Sequence, residues 1–534
     1  MSPSLASSRD PEQSQPYTGS GTEADPFVVE FLKDDPGNPM NWSQSRKWTL
    51  AIIADLSVFA VTLTSSAYSP SSTQIMEEFH VSTEVVTLGL SLYVLGFAIG
   101  PALWVSLTND RWPFIRTNTP RSELYGRRPL WIISHIAMVA FLAGSAGSNN
   151  IATLLVLRFL VGTFGGSPLV NSGGTIADLF PPAQRGLALT IYCAAPFLGP
   201  VIGPIVGGFV SQSIGWRWVQ GICVIFLGII GILGTILIPE TYGPVLLRRR
   251  AHTLTTTDTN NRIYMSVLER NTAKQPPSAV FHRALVRPWT LLFREPIVLI
   301  ASLYIAIIYG TIYMFMGAMP IVFNQSRGWS PGIGGLAFLG IAAGILLGLL
   351  YAIWDTTTRY AAIFAAGTAT PESRLPPAIL GAVALPVGMF AFAWTNSPAI
   401  HWAASIVLSA PFGVGCVLVI LPIMTYLIDA YTVYAASVLA ACAMFRSVVG
   451  AVFPLFTAQM YHDLGIHWAS AVPAFLTLVC MPFPVVMYRY GAVVRTKCRY
   501  SFEAAEMMRK MHQMQQMQLS GGPAAGGEQD QSLD

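Results

Sequence analysis

Stretches of about 20 apolar residues recur along this chain, and each is long enough to cross the hydrocarbon core of a bilayer as a helix. Six run over Trp48 to Ser66, Val85 to Val105, Leu130 to Ala146, Ile151 to Ile176, Leu187 to Val210 and Trp218 to Ile238. After a break come six more, over Ile297 to Phe323, Gly332 to Trp354, Pro377 to Trp394, His401 to Leu427, Ala435 to Met460 and Trp468 to Tyr488. A backbone in lipid must satisfy its own polar groups, so runs of this kind form helices. Only 11% of the residues are charged, where a soluble domain carries about a quarter.

The expected architecture is an all-α membrane protein with twelve transmembrane helices in two six-helix bundles. Residues 1–46 are polar and rich in Ser, Pro and acids, and read as a disordered N-terminus with no cleaved signal peptide. The first bundle is expected over 47–242, a polar connector over 243–295, the second bundle over 296–490 and a tail over 491–534. The tail reads as a short surface helix from Glu503 to Leu519 and then a small, polar end.

The connector holds nine basic residues, Arg248, Arg249, Arg250, Arg262, Arg270, Lys274, Arg283, Arg287 and Arg294, which place it in the cytoplasm by the positive-inside rule. Both termini follow it there. The net charge of +4 forms no continuous basic face, so nucleic acid is not an expected partner. Cysteines 193, 223, 416, 442, 480 and 498 show no metal-ligand spacing, and neither a disulfide nor a metal is expected.

Charges inside apolar segments are costly and therefore informative. Arg158 lies in the fourth segment, where insertion costs about 2.5–3.5 kcal/mol, and it reads as a proton- or substrate-handling group or else as half of a buried salt bridge. Asp55 in the first segment and Arg446 in the eleventh are further candidates for coupling, Asp55 with the alternative of pairing near the cytoplasmic face. His135 reads as a packing residue. Tyr304, Tyr309 and Tyr313 punctuate the seventh segment and suit either a cavity for flat ligands or ordinary packing.

The fifth segment carries Gly199-Pro200-Val201-Ile202-Gly203-Pro204-Ile205-Val206-Gly207-Gly208, in which small residues permit close helix approach and prolines permit a kink. Ahead of the third segment stands Ser122-Glu123-Leu124-Tyr125-Gly126-Arg127-Arg128-Pro129. With Arg158 and Gly162, these strings resemble the motifs of the major facilitator superfamily. Asn38-Pro39-Met40-Asn41-Trp42-Ser43, Pro239-Glu240-Thr241 and Tyr426-Leu427-Ile428-Asp429-Ala430-Tyr431 narrow the resemblance to its fungal drug:proton antiporters with twelve helices, over about Asn38 to Arg499.

The resemblance implies an export carrier working by alternating access and driven by the proton gradient, with no cofactor. It implies that Glu123, Arg127 and Asp178 form a cytoplasmic charge relay holding the halves together, and Arg185 reads either as a further member or as a simple topology signal. It also implies that Gly199, Pro200, Gly203, Pro204, Gly207 and Gly208 form the antiporter motif. The polar stretch Ser106 to Arg121 departs from the family pattern and reads either as an inserted loop or as a gene-model artefact. Drugs or a fungal secondary metabolite are the expected small-molecule substrates, with polyamine export or import by the same fold as alternatives. No P-loop for ATP occurs, and no cluster of His, Asp or Cys suggests an enzyme. The protein is expected as a monomer in the plasma membrane, with the vacuolar membrane as the alternative.

Overall fold

Each apolar stretch becomes a helix, and their ends follow from local chemistry. A computed structural model describes residues 17–32, 34–108, 126–260, 262–267 and 277–519. Among these, ten helical runs are long and apolar enough to cross a membrane. The last, Trp402–Lys497, is broken at Thr432 (φ 20°) and again at Gly465 (φ 74°), where the chain reverses, so the ten runs make twelve passes.

We number the passes α1 (Gln44–Ser66), α2 (Thr83–Thr108), α3 (Arg127–Ala146), α4 (Ile151–Leu179), α5 (Pro182–Tyr192 and Ala195–Ile214) and α6 (Trp216–Leu237). The second half comprises α7 (Pro296–Met319), α8 (Leu339–Asp355), α9 (Pro376–Thr395), α10 (Trp402–Leu408 and Ala410–Tyr431), α11 (435–464) and α12 (466–497). Twelve passes in two sets of six match the expectation. The α2 helix continues to Thr108, through the first residues of the stretch expected as loop, and residues 109–125 lie outside the described residues. The last pass outruns the expected boundary at 490, because Tyr488 to Lys497 stay helical to the cap at Cys498.

Residues 1–46 were expected to be disordered, and from Tyr17 onward the structure differs. Phe27–Val29 forms a strand, β1, that pairs in parallel with β2, Tyr264–Ser266, in the connector. Val29 is fully buried against Leu247 and Ala251 of the connector helix Gly243–Thr257. Arg250 of that helix forms an ion pair with Asp35. The short β-forming run Phe27-Val28-Val29 supplies the apolar surface that the polar average of this stretch conceals.

The described N-terminal segment, the connector and the tail helix share one face of the bundle, called here the terminal face. Glu295, 1% exposed ahead of α7, accepts the Tyr431 hydroxyl at 2.9 Å and the Tyr500 backbone N–H at 3.0 Å. Those bonds dock the tail helix Arg499–Leu519, whose Ser501 hydroxyl also donates to the Ala430 carbonyl. Burial beside Glu295 pushes the Cys498 thiol up to about 11, so it stays protonated. The tail helix thus begins four residues earlier than its expected start and is held to the bundle at its first turn.

Candidate functional site

At the terminal face of the first half, Gly126 leads into α3 without a side-chain cap of its own. Glu240, just past α6, does that work: its carboxylate accepts the N–H groups of Arg127 at 3.0 Å and Arg128 at 3.2 Å. A negative group there also meets the positive end of the helix dipole. A Cβ at residue 126 would stand 1.8 Å from Glu240 Oε2, so only glycine allows the approach. Arg127 then turns its guanidinium to Asp178 at the end of α4, with Nε 2.7 Å from Oδ2. Asp178 also receives the Thr241 hydroxyl at 3.4 Å. Sequence reasoning quoted Glu240 and Thr241 as part of a motif but gave them no role. Their place beside Arg127 depends on the closure of α6 onto α3.

Arg158 in α4 is wholly buried, and the buried-salt-bridge alternative meets no acid among the described residues. Its Nε donates to the Gly89 carbonyl at 3.0 Å, Nη1 to Thr64 at 3.1 Å and Nη2 to Ser65 at 2.9 Å. Thr64 and Ser65 lie in the last turn of α1, where carbonyls lack helical partners and carry the negative end of the dipole. The counter-charge is therefore a helix C-terminus. Tyr68 and Tyr93 stack on the guanidinium at 4.4 and 4.6 Å. Three charge-assisted bonds at about 1.5–3 kcal/mol each suffice to offset the insertion cost.

Asp55 and Arg446 sit differently. Each lies eleven residues from the terminal-face end of its helix, about 16 Å deep, and they belong to opposite halves. Asp55 Oδ1 and Arg446 Nε are both buried without a hydrogen-bond partner among the described residues. Tyr192 and Cys193 lie at the break in α5. That break has a local cause, since Pro196 lacks the N–H that would bond back to Tyr192. Arg446 lies over the Tyr309 ring at 5.1 Å, and Tyr309 is 5.1 Å from Tyr313. Tyr304 faces elsewhere, toward Cys416 and Cys480 within the second half.

Arg158 does not join this group, because Thr64 is nine residues, or about 14 Å, beyond Asp55 along α1. His135 has both ring nitrogens engaged, with Ser57 at 2.7 Å and the Trp131 carbonyl at 2.9 Å.

The glycine-proline string of α5 makes two contacts. Cβ atoms at Gly199, Gly203 and Gly207 would stand 2.0–2.1 Å from Thr62, Ser66 and Ala67, so this face of α5 packs on α1. Gly208 faces the second half instead, 2.5 Å from the Pro331 carbonyl by the same measure. Pro200 and Pro204 lie inside the helix, and the Pro204 carbonyl lies near Gly335. The Ser65 and Tyr313 hydroxyls, 2.9 Å apart, and the Ser69 bond to the Met316 carbonyl at 2.7 Å also join the halves. The face opposite the termini is thereby closed. Toward the terminal face, a small pocket lies between α5, α8 and α10, lined by Thr190, Thr356, Tyr360, Arg374 and Thr425 among others.

Two six-helix halves, joined at one face and with a small pocket between them toward the other, are the frame of a known transporter fold. The sequence profile of the Major Facilitator Superfamily matches residues 54–454. The chain belongs to the major facilitator superfamily. Among its relatives is a major facilitator-type transporter (sorT) of Penicillium rubens, 74% identical over 94% of this chain and 93% of that protein. A major facilitator superfamily multidrug transporter of Aspergillus fumigatus is 52% identical over 94% of this chain and 80% of its own length. The citrinin biosynthesis cluster MFS transporter of Monascus ruber is 41% identical over 91% and 95%. The solved proton:xylose symporter XylE covers 84% of this chain and 96% of its own with a TM-score of 0.59; at 15% identity, that likeness shows the fold.

In this major facilitator chain two residues of the relay implied by the motifs, Arg127 and Asp178, form an ion pair. Arg127, Asp178, Glu240 and Thr241 meet within the first half, because α4 and the end of α6 converge on the start of α3. Glu123 lies outside the described residues. Arg185 is not in the cluster: it caps α4 through the Ala177 carbonyl at 2.9 Å and the Phe180 carbonyl at 3.4 Å.

Proposed function

We propose that this transporter is a proton-coupled exporter of small organic molecules, drugs or a fungal secondary metabolite, working by alternating access. The observation that carries the reading is Asp55, an ionisable side chain deep in the bundle with an oxygen unpartnered among the described residues. A carboxylate in that position can exchange a proton as access changes side. The contacts at Gly208 and Tyr313 and the small pocket beside Thr190 supply the two ends of such a cycle. Relatives named as a multidrug transporter, as efflux pumps and as a citrinin-cluster transporter favour export.

In this reading the terminal face is cytoplasmic, the membrane is the plasma membrane and the unit is a monomer. Proton motive force drives the cycle without a cofactor or a chemical reaction on the substrate. Midway through the bundle the described residues offer Asp55 rather than a set of acids, which suits a neutral or weakly acidic organic molecule better than a polyamine.

The test is accumulation of labelled azoles, polyamines and host metabolites in cells expressing the protein, with and without a proton uncoupler. Lower accumulation that the uncoupler abolishes is the expected result. Export that persists unchanged with the uncoupler would sink the proton-coupled mechanism.

A further inference from the structure

The connector ends in a second helix, Pro277–Arg294, which leads into α7 and is bent away from it at Glu295, whose backbone is extended (φ −110°, ψ 103°). It packs against α2 of the first half as well as α7 and α11 of the second, so it lies along the terminal face instead of prolonging α7. At 3.6 residues per turn its side chains fall into three sectors, roughly 100–140° apart. Pro288, Leu291 and Leu292 are buried against the bundle. Val286, Trp289 and Phe293 are left 43%, 41% and 68% exposed, and the Trp289 and Phe293 rings stack with centroids 6.3 Å apart. Arg287 and Arg294 form the third sector, Arg294 exposed and Arg287 lying on the Tyr434 ring at 4.3 Å.

Three large apolar side chains at a spacing of three and four, all exposed on one helix, need a covering surface. The bilayer is the one this helix already adjoins. Ile300 and Leu303, in the first turns of α7, are exposed apolar residues of a membrane pass, and Phe293 stands seven residues ahead of Ile300. Phe293 and Trp289 are two and six residues from Glu295, at most about 3 and 9 Å at 1.5 Å per residue, and a helix lying along the face keeps both nearer the level at which α7 starts. The headgroup layer is about 5–8 Å deep, so both rings fall within its reach. An aromatic, apolar stripe flanked by arginines is the composition that settles at such a boundary. We propose that the helix Pro277–Arg294 lies in the terminal-face leaflet, with Val286, Trp289 and Phe293 at the top of the acyl chains and Arg287 and Arg294 on the phosphates of anionic phospholipids.

The charge of the surroundings agrees. Glu503, the acid that accepts the Tyr434 hydroxyl at 3.1 Å, is already paired with Arg499 at 2.9 Å, and Glu295 is buried on Tyr431 and Tyr500. The arginine sector therefore keeps its positive charge for an outside anion. Anchoring of this kind is independent of the direction of transport and of its coupling to protons, so it stands apart from the exporter reading.

The experiment uses the purified full chain in nanodiscs of phosphatidylcholine with phosphatidylserine. Nitroxide labels on Val286→Cys, Trp289→Cys and Phe293→Cys, one at a time, are read for collision with oxygen, which enriches in lipid, and with a nickel chelate confined to water. The unmutated chain, treated alike, gives the background of the six native cysteines. Oxygen should dominate at all three positions, and nickel at Thr256→Cys, exposed on the helix Gly243–Thr257. Nickel dominating at the three positions would place the stripe in water, and exclusion of both reagents would mean cover by protein, from this chain or a second copy; either result overturns the placement. Each label replaces an exposed side chain, so the bundle should keep its unfolding temperature. Native mass spectrometry then titrates phosphatidylserine, with phosphatidylcholine as reference. Arg294→Gln and Arg287→Gln are each expected to weaken phosphatidylserine binding about fivefold, the worth of one arginine at an anionic surface, and to leave phosphatidylcholine unchanged. Undiminished phosphatidylserine binding in the double variant would overturn the headgroup assignment.

Discussion

Glu240 accepts the backbone N–H of Arg127 at 3.0 Å, although 112 residues of chain lie between them. One carboxylate thereby finishes the N-terminus of α3, takes the N–H groups of Thr241 and Tyr242 as well, and stands beside the Arg127–Asp178 ion pair. The end of α6 is pinned to the start of α3, and the first half is closed at its terminal face.

Removing that carboxylate should loosen the half-bundle. Glu240→Ala is expected to cost about 1–2 kcal/mol, in the range of a lost helix cap with its dipole interaction. Glu240→Gln should recover part of that, since one amide oxygen still accepts while the charge is gone. Thermal unfolding of the two variants beside wild type in the same detergent checks the order.

The ion pair beside it is measurable by a double-mutant cycle. Arg127 and Asp178 are about one-fifth exposed, so their coupling should fall near 1 kcal/mol rather than at the value of a dry pair. The cycle of Arg127→Gln and Asp178→Asn, read by denaturation, should show singles that together cost more than the double variant. Strict additivity would mean that the contact does not hold the fold.

Arg158 should behave as a structural cation. Arg158→Lys keeps the charge but cannot span Gly89, Thr64 and Ser65 at once, and about 3 kcal/mol or more of stability is expected to go. The readout is the yield of monodisperse protein and its unfolding temperature, both of which should fall. A lysine variant as stable as wild type would contradict the three-carbonyl account.

Gly203 and Gly208 separate two kinds of packing. Gly203→Ala places a Cβ against Ser66 within the first half and should destabilise by about 1–3 kcal/mol. Gly208→Val acts across the halves at Pro331 and should instead shift the molecule toward the state open at the face opposite the termini. Alkylation of a cysteine introduced at Ser69 reports that opening, and faster labelling in Gly208→Val is the expected outcome.

The N-terminal clasp should open without harm to the membrane bundle. Val29→Asp puts a charge where Val29 packs on Leu247 and Ala251, and loss of burial worth about 1.5–2 kcal/mol favours local opening. Trypsin should then cut more readily near Arg248, Arg249 and Arg250, with the unfolding temperature of the bundle unchanged.

Twelve helices in two halves were legible in the chain, because lipid leaves the backbone one solution for each apolar run of this length. The glycine string of α5 could likewise be read as a close-packing face, since Gly at a spacing of four marks one side of a helix. Partners were another matter. Arg158 announced only that some counter-charge was needed, and the tertiary fold supplied the end of α1, which has no signature in the residue list. Glu240 was visible as a motif residue, yet its role required α6 and α3 to meet. The strand Phe27–Val29 was hidden in a polar average until the connector gave it a mate. Asp55 and Arg446 stood out singly by their cost in lipid, but only the helix boundaries put them at one depth. Helix formation depends on neighbours in sequence, whereas counter-charges and caps are set by neighbours in space.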